Sequence, residues 1–203
     1  MAQFGKNRFP EKYQQGVGFK NNFKGVGERL HKNSEELVRI LQSNNIKLKS
    51  KVFELGAGPA RNLHYILNAY PNIKLYCNDL WPSSVDHMSD EVKKVIKFYV
   101  GDSEEVINNE EIQKEVIDNL DLFLVSDHFM HLEYKKADNI IKEVLSTWKP
   151  KYIMLREVKK ERETPEHPRL FHNYDQFLSN YEMIEETSSK QDKNYFIWLL
   201  KRK

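Results

Sequence analysis

Val52-Phe53-Glu54-Leu55-Gly56-Ala57-Gly58-Pro59-Ala60-Arg61-Asn62 reads as a buried strand that turns through glycines into a helix, with an acid just before the turn. Gly56 and Gly58 permit a sharp turn and let a ligand approach the backbone closely. The first N–H groups of the next helix have no partner within the helix and can hold a polar group. A glycine turn in isolation also serves packing or capping. Placed after a first strand, it predicts a nucleotide-like ligand at that strand's carboxyl end.

Outward from this turn the chain alternates strands and helices. Lys51–Leu55 is the first strand, and Leu63, Ile66, Leu67 and Tyr70 follow at helical spacing until Pro71 stops them. Further strands are expected at 73–77, 94–100, Leu120–Ser126 and 152–156, the fourth with an apolar run that predicts burial on both faces. Between them lie a helix near Pro82 and a segment capped by Asp102 and Glu105 with a break at Asn108-Asn109. A stripe of Ala137, Ile140, Ile141, Val144, Leu145 and Trp148 makes the next helix. Ahead of the first strand, Asn33 and Glu36 read as a capping box for a helix carrying Leu37, Ile40 and Leu41. A charged loop with two prolines at 159–169 is expected near the active face. A short helix at 173–178 and strands at 181–187 and 195–200, joined by a hairpin, complete the chain. This order predicts an α/β fold, a mostly parallel sheet covered on both faces with right-handed crossovers.

A length of 203 residues suits one core, so we expect an arm at 1–33 and a single catalytic domain at 34–203. The formal charge of +2, with acids and lysines interspersed, does not indicate a nucleic-acid partner. Cys77 is the one cysteine, which rules out a disulfide within this chain and a four-cysteine zinc site. No secretory leader and no apolar run of membrane-spanning length is read from the sequence, so no membrane partner and a reducing, cytoplasmic setting are expected.

Two acids follow strands. Asp79 closes the second, where a carboxylate can accept hydrogen bonds from ribose hydroxyls or act as a turn acid. Gly101-Asp102 closes the third, where Asp102 can meet an adenine amino group or cap the next helix. Taken in order, Glu54 to Ala60, Asn78-Asp79-Leu80, Gly101-Asp102 and Leu122 to His128 resemble the class I S-adenosylmethionine-dependent methyltransferases, over roughly residues 34 to 202. The resemblance implies a seven-stranded, mostly parallel Rossmann-like sheet with an antiparallel last strand and helices on both faces. It implies S-adenosyl-L-methionine as cofactor and S-adenosyl-L-homocysteine as product. It puts Glu54 near the methionine portion or the structured turn, with Gly56, Ala57 and Gly58 beneath it and Asn62 at the helix start. Asp79, with Leu80 beside it, would meet the ribose. Gly101, Asp102 and Ser103 would lie beside adenine, and Ser126 and Asp127 would close the cofactor side.

A dinucleotide site is disfavoured because Arg61 stands where that fingerprint takes a small residue, and no Gly-Lys-Ser/Thr phosphate loop occurs. Methyl transfer aligns an acceptor lone pair behind the sulfonium methyl. His128 and His131, just after the central strand, are the candidate catalytic bases, and either could instead satisfy a structural hydrogen bond or cap the next helix. Asp127, His128, His131 and Glu133 do not form a complete ligand set by spacing, so no metal is expected. Tyr13 and Phe19 in the aromatic arm are candidate lid residues on the substrate. Arg156, Arg169 and His172 are candidate acceptor contacts that favour a carboxylate or phosphate. Ser126-Asp127-His128-Phe129 is not the Asp/Asn-Pro-Pro-Tyr pattern of many enzymes that methylate exocyclic amines of DNA or RNA. A small-molecule acceptor methylated on oxygen or nitrogen is therefore the leading expectation. A nucleic-acid or protein methyltransferase and a non-catalytic cofactor-binding scaffold are the alternatives.

Overall fold

A computed structural model describes residues 27–161 and 169–203 of the chain. Helix α1 (Gly27–Ser43) leads into β1 (Lys51–Leu55), α2 (Arg61–Ala69) and β2 (Lys74–Asp79). A 3-10 turn at Pro82–His87 and the single turn α3 (Asp90–Lys93) precede β3 (Ile96–Val100). Then come α4 (Ser103–Ile107), α5 (Glu110–Val116), β4 (Leu120–Ser126), α6 (Tyr134–Glu143) and β5 (Tyr152–Val158). The hairpin of β6 (Tyr181–Ser188) and β7 (Tyr195–Arg202) ends the chain.

The strands form one seven-stranded sheet in the order β3-β2-β1-β4-β5-β7-β6. β1, β2, β3, β4 and β5 pair in parallel, whereas β7 runs against both β5 and β6. This is the expected α/β sheet with its reversed last strand. Phe53 and Phe123 are register partners, and their rings stack at 5.6 Å with Trp148 edge-on to Phe53 at 4.8 Å. That cluster forms the core on one face. Leu37, Ile40, Leu63, Ile66, Leu122 and Met154 belong to the core on the other. Apolar burial on both faces explains why β1 and β4 have no polar stripe. Because the chain leaves β1 toward β2 and returns to β4 on the other side, the carboxyl ends of β1 and β4 flank a topological switch point. Open sheets of this kind bind ligands at such a point.

Four local expectations change. α1 begins at Gly27, so Asn33 and Glu36 lie inside it and make no capping box. The carboxylate of Glu36 instead accepts from Ser189 Oγ at 2.7 Å and Lys190 N–H at 2.8 Å, a tertiary contact that replaces the local one. The segments near Pro82 and Asp175 are 3-10 turns rather than α-helices. β5 extends to Val158, past the expected stop at Arg156, because Glu157 and Val158 continue the ladder with Phe196 and Tyr195 of β7. The expected break in the helical segment after β3 is found: Asn109 Oδ1 accepts from the Glu111 and Ile112 N–H groups and starts α5.

Candidate active site

Three turns at the carboxyl edge of the sheet are knotted together by two consecutive residues of β2. Buried Asn78 accepts the Gly56 N–H at 3.0 Å through its side chain and the Ala57 N–H at 2.9 Å through its carbonyl. Its amide nitrogen donates to Gly101 O and Ser103 Oγ. The carboxylate of Asp79 accepts from Gly58 N–H at 2.8 Å, Trp81 N–H at 3.0 Å and Ser84 Oγ at 3.2 Å. Gly56 (φ 66°) and Gly58 (φ 53°) take left-handed backbone, and so does Ala60 (φ 52°), which carries a methyl group where an alternating third glycine would fall.

Beside this turn lies a small cleft of about 110 Å³, lined by Glu54, Gly56, Ala57, Arg61 and Asn62 from the β1–α2 corner. Ser126 and Asp127 at the end of β4, and Asn33 and Ser34 of α1, also line it. Glu54 is 1 % exposed; its Oε1 accepts from Asn62 Nδ2 at 2.6 Å, while Oε2 has no donor among the described residues. Burial pushes its carboxyl up to about 8, against the Asn62 hydrogen bond and the Arg61 charge. Asp127 sits at φ 59° in the cleft wall and pairs through both carboxylate oxygens with Arg156 Nη1 at 2.5 Å. A non-glycine residue held in that region is a local strain often found at functional sites.

The imidazole of His128 covers Gly56. A Cβ on that glycine would stand 2.1 Å from His128 Nδ1, so only hydrogen fits. His128 Nε2 lies 2.7 Å from Ser103 Oγ. Burial pulls the His128 pKa to about 4, opposed by the Asp102 charge, so the ring is neutral near pH 7. The fold thus brings His128 among the cofactor candidates. His131 ends the same short turn and does not line the cleft. Behind this turn, completely buried Glu157 accepts three consecutive backbone N–H groups, from His128, Phe129 and Met130. Desolvation pushes its carboxyl up to about 8, with Asp127 adding and the three N–H groups opposing.

Of the remaining candidates, Asp102 caps α4 by accepting the Glu104 N–H at 2.9 Å and pairs with Lys136 at 2.5 Å. Leu80 is 40 % exposed beside Asp79, and Val100, not singled out from the sequence, is 53 % exposed beside Gly101. Of the three acceptor-side candidates, Arg156 and Arg169 meet at the Tyr195 ring, whereas His172 bonds elsewhere. Buried Arg156 is committed to Asp127 and stacks 4.3 Å from the Tyr195 ring centre. His172 Nε2 lies 2.7 Å from Phe129 O, and burial lowers its pKa against that contact. Arg169 donates to Tyr195 Oη at 2.5 Å and has no carboxylate partner among the described residues. Tyr13 and Phe19 lie outside the described residues.

Asn33, Ser34 and Glu157 escaped the sequence reading. Glu157 stands beside Arg156, one residue past the expected end of its strand, and carried no distinguishing signal; nor did Asn33 and Ser34, whose cap-like pattern pointed elsewhere. A wider hollow of about 640 Å³ near Lys49, Lys149 and Arg202 lies by the amino ends of β4 and β5, away from the switch point. Among the described residues no three His, Cys, Asp or Glu side chains converge to hold a metal, and no helix is long and apolar enough to cross a membrane.

Many solved structures share this architecture. Magnesium protoporphyrin IX methyltransferase (ChlM) from Synechocystis PCC 6803, solved with bound SAM, superposes with a TM-score of 0.63 at 13% identity, over 89% of this chain and 83% of that one. The N-methyltransferase NodS from Bradyrhizobium japonicum WM9, in complex with S-adenosyl-L-homocysteine, gives 0.59 at 13%, over 83% and 85%. The small RNA methyltransferase HEN1 gives 0.61 at 13%, over 83% of this chain but 25% of that one. No protein-family model and no curated sequence matches the chain. The fold is therefore the Rossmann-like fold of class I methyltransferases, shared at identities too low to carry a substrate with it.

Proposed function

We propose that this protein is an S-adenosylmethionine-dependent methyltransferase that acts on an oxygen or nitrogen of a small molecule in a reducing cytoplasm. The observation that carries the reading is Glu54: a buried carboxyl oxygen that meets no donor among the described residues, under a left-handed glycine turn at the β1/β4 switch point. An ammonium beside it would draw the carboxyl back into its charged form, and Arg61 in the same cleft suits a carboxylate, so the cleft fits an amino-acid end. At about 110 Å³ it is smaller than the roughly 300 Å³ or more of ordinary ligand pockets. The nucleoside end therefore requires the His128 ring to turn away from Gly56. There Asp79 would share its carboxylate between the turn and a ribose hydroxyl, and Leu80 and Val100 would offer apolar cover to a purine.

The bound cofactor supplies an electrophilic methyl group on a sulfonium. The chain's own residues hold and orient. Arg156 neutralises Asp127 in the cleft wall, and Glu157 fixes the backbone that follows it. Once off Ser103, the neutral imidazole of His128 has a lone pair for an acceptor proton, while Arg169, which meets no carboxylate among the described residues, is a cation for an anionic group on the acceptor. The arm ahead of α1, with Tyr13 and Phe19, is our candidate cover for the site; residues 27–33, expected within that arm, belong to the helix.

Incubating the protein with isotopically labelled S-adenosylmethionine and pooled metabolites, followed by mass spectrometry, tests the assignment. We expect S-adenosylhomocysteine and a methylated small molecule in equal amounts. Stoichiometric cofactor binding with no methylated product across the pools would leave a binding scaffold and remove the enzyme.

A further inference from the structure

Two buried oxygens in the cleft meet no donor among the described residues: Glu54 Oε2 and Asn33 Oδ1. Asn33 is 4 % exposed and Glu54 1 %, and both line the same cleft. Folded proteins leave few buried polar atoms unpaired, and those that persist often mark a place a ligand completes. The two come from distant parts of the chain, one from α1 and one from β1.

Their surroundings hold both residues in place. Ser34, next to Asn33, donates to Asn62 Oδ1 at 2.7 Å, and Asn62 Nδ2 donates to Glu54 Oε1 at 2.6 Å. This relay occupies one Glu54 oxygen and leaves the other. One turn further along α1, Leu37, Ile40 and Leu41 are completely or almost completely buried in the core, and Glu36 bonds the β6–β7 connection. Asn33 is thus carried on a helix fixed from two sides, not on a loop.

We propose that Asn33 is a second acceptor for the ammonium of the cofactor's amino-acid end, so that α1 fastens that end against Glu54. The inference rests on the cofactor reading above. An ammonium has three N–H donors and no acceptor, which lets one group satisfy both oxygens. A volume of about 110 Å³ admits a head group of that size and excludes a nucleoside.

The test compares two probes by calorimetric titration: S-adenosylhomocysteine, which has the amino-acid end, and 5′-methylthioadenosine, which lacks it. Asn33→Ala is expected to weaken S-adenosylhomocysteine about tenfold or more and to leave 5′-methylthioadenosine within about twofold. Asn33→Asp, which keeps an acceptor, should bind S-adenosylhomocysteine at least as tightly as the parent. The melting midpoint of ligand-free Asn33→Ala should not fall, because the substitution removes an unpaired buried oxygen. Equal loss for both probes, or unchanged S-adenosylhomocysteine affinity, would overturn the role of Asn33 while leaving the cofactor reading intact. A parent protein that binds neither probe would instead overturn the cofactor reading, and the inference with it.

Discussion

Glu54 and Glu157 are both buried carboxyls pushed from an ordinary 4.5 up to about 8, and His128 is an imidazole pulled from 6.5 to about 4. Their effects on stability have opposite signs. A carboxyl whose pKa is higher in the folded state contributes stability that is complete below about 4.5 and is lost as pH rises through about 8. A histidine with a lowered pKa contributes stability above 6.5 that is lost on acidification through about 4. Between pH 4.5 and 6.5 the two trends oppose; from 6.5 to 8 the carboxyls act without that compensation. The charged neighbours around Glu157 are Asp127, which raises it, and Arg156, which pairs with Asp127. We therefore expect the melting midpoint to fall between pH 6.5 and 8, and Glu157→Gln to lessen the fall. Melts by circular dichroism at several pH values decide it; a midpoint that rises over this interval would contradict the assignment. At this scale the sequence was partly legible. Glu54 stood before a glycine turn, so its place could be read. Nothing local told that Glu157 would be met by three backbone N–H groups, because those donors lie 27 to 29 residues away.

The turn between β1 and α2 and the segment after β4 behave as one unit, because His128 and Gly56 share a single space. Gly56→Ala brings two penalties. An alanine at φ 66° costs about 1–2 kcal/mol relative to glycine, and its Cβ would stand 2.1 Å from the His128 ring. The ring can leave only by giving up Ser103 Oγ. His128→Ala removes the second penalty but not the first. Denaturant unfolding of both single variants and the double should give a double variant more stable than additivity predicts, by about 1 kcal/mol or more. Strict additivity would mean that the imidazole does not occupy this space. The order of elements was readable here because strands buried on both faces leave continuous apolar runs, and β1 and β4 fall where those runs predict. The direction of the His128 side chain was not readable. Position after β4 suggested a base facing an acceptor, whereas the fold turns the ring back onto the glycine corner.

Across the whole molecule, the sheet separates two cores, and α1 covers one of them while reaching both the cleft and the far hairpin. Its amino-terminal part presents Asn33 and Ser34 to the cleft, and Glu36 crosses to Ser189 and Lys190 between β6 and β7. The sequence separation is 153 residues for the Glu36–Ser189 bond, which is why the pattern Asn33 to Glu36 looked like a local cap and proved to be two tertiary contacts. Glu36 and Ser189 are both buried, at 5 % and 0 % exposure, so breaking this contact leaves a hydroxyl and a backbone N–H without their acceptor. Glu36→Ala is expected to cost about 1–3 kcal/mol of stability. If α1 is fastened to the rest of the molecule by this bond, the loss should be uneven. Amide hydrogen exchange should quicken in residues 31–43 and in the 188–195 connection, with β1 and β4 protected as before. Uniform acceleration across the sheet would instead mean that α1 and the hairpin are held by the apolar core alone, with Glu36 contributing only to global stability.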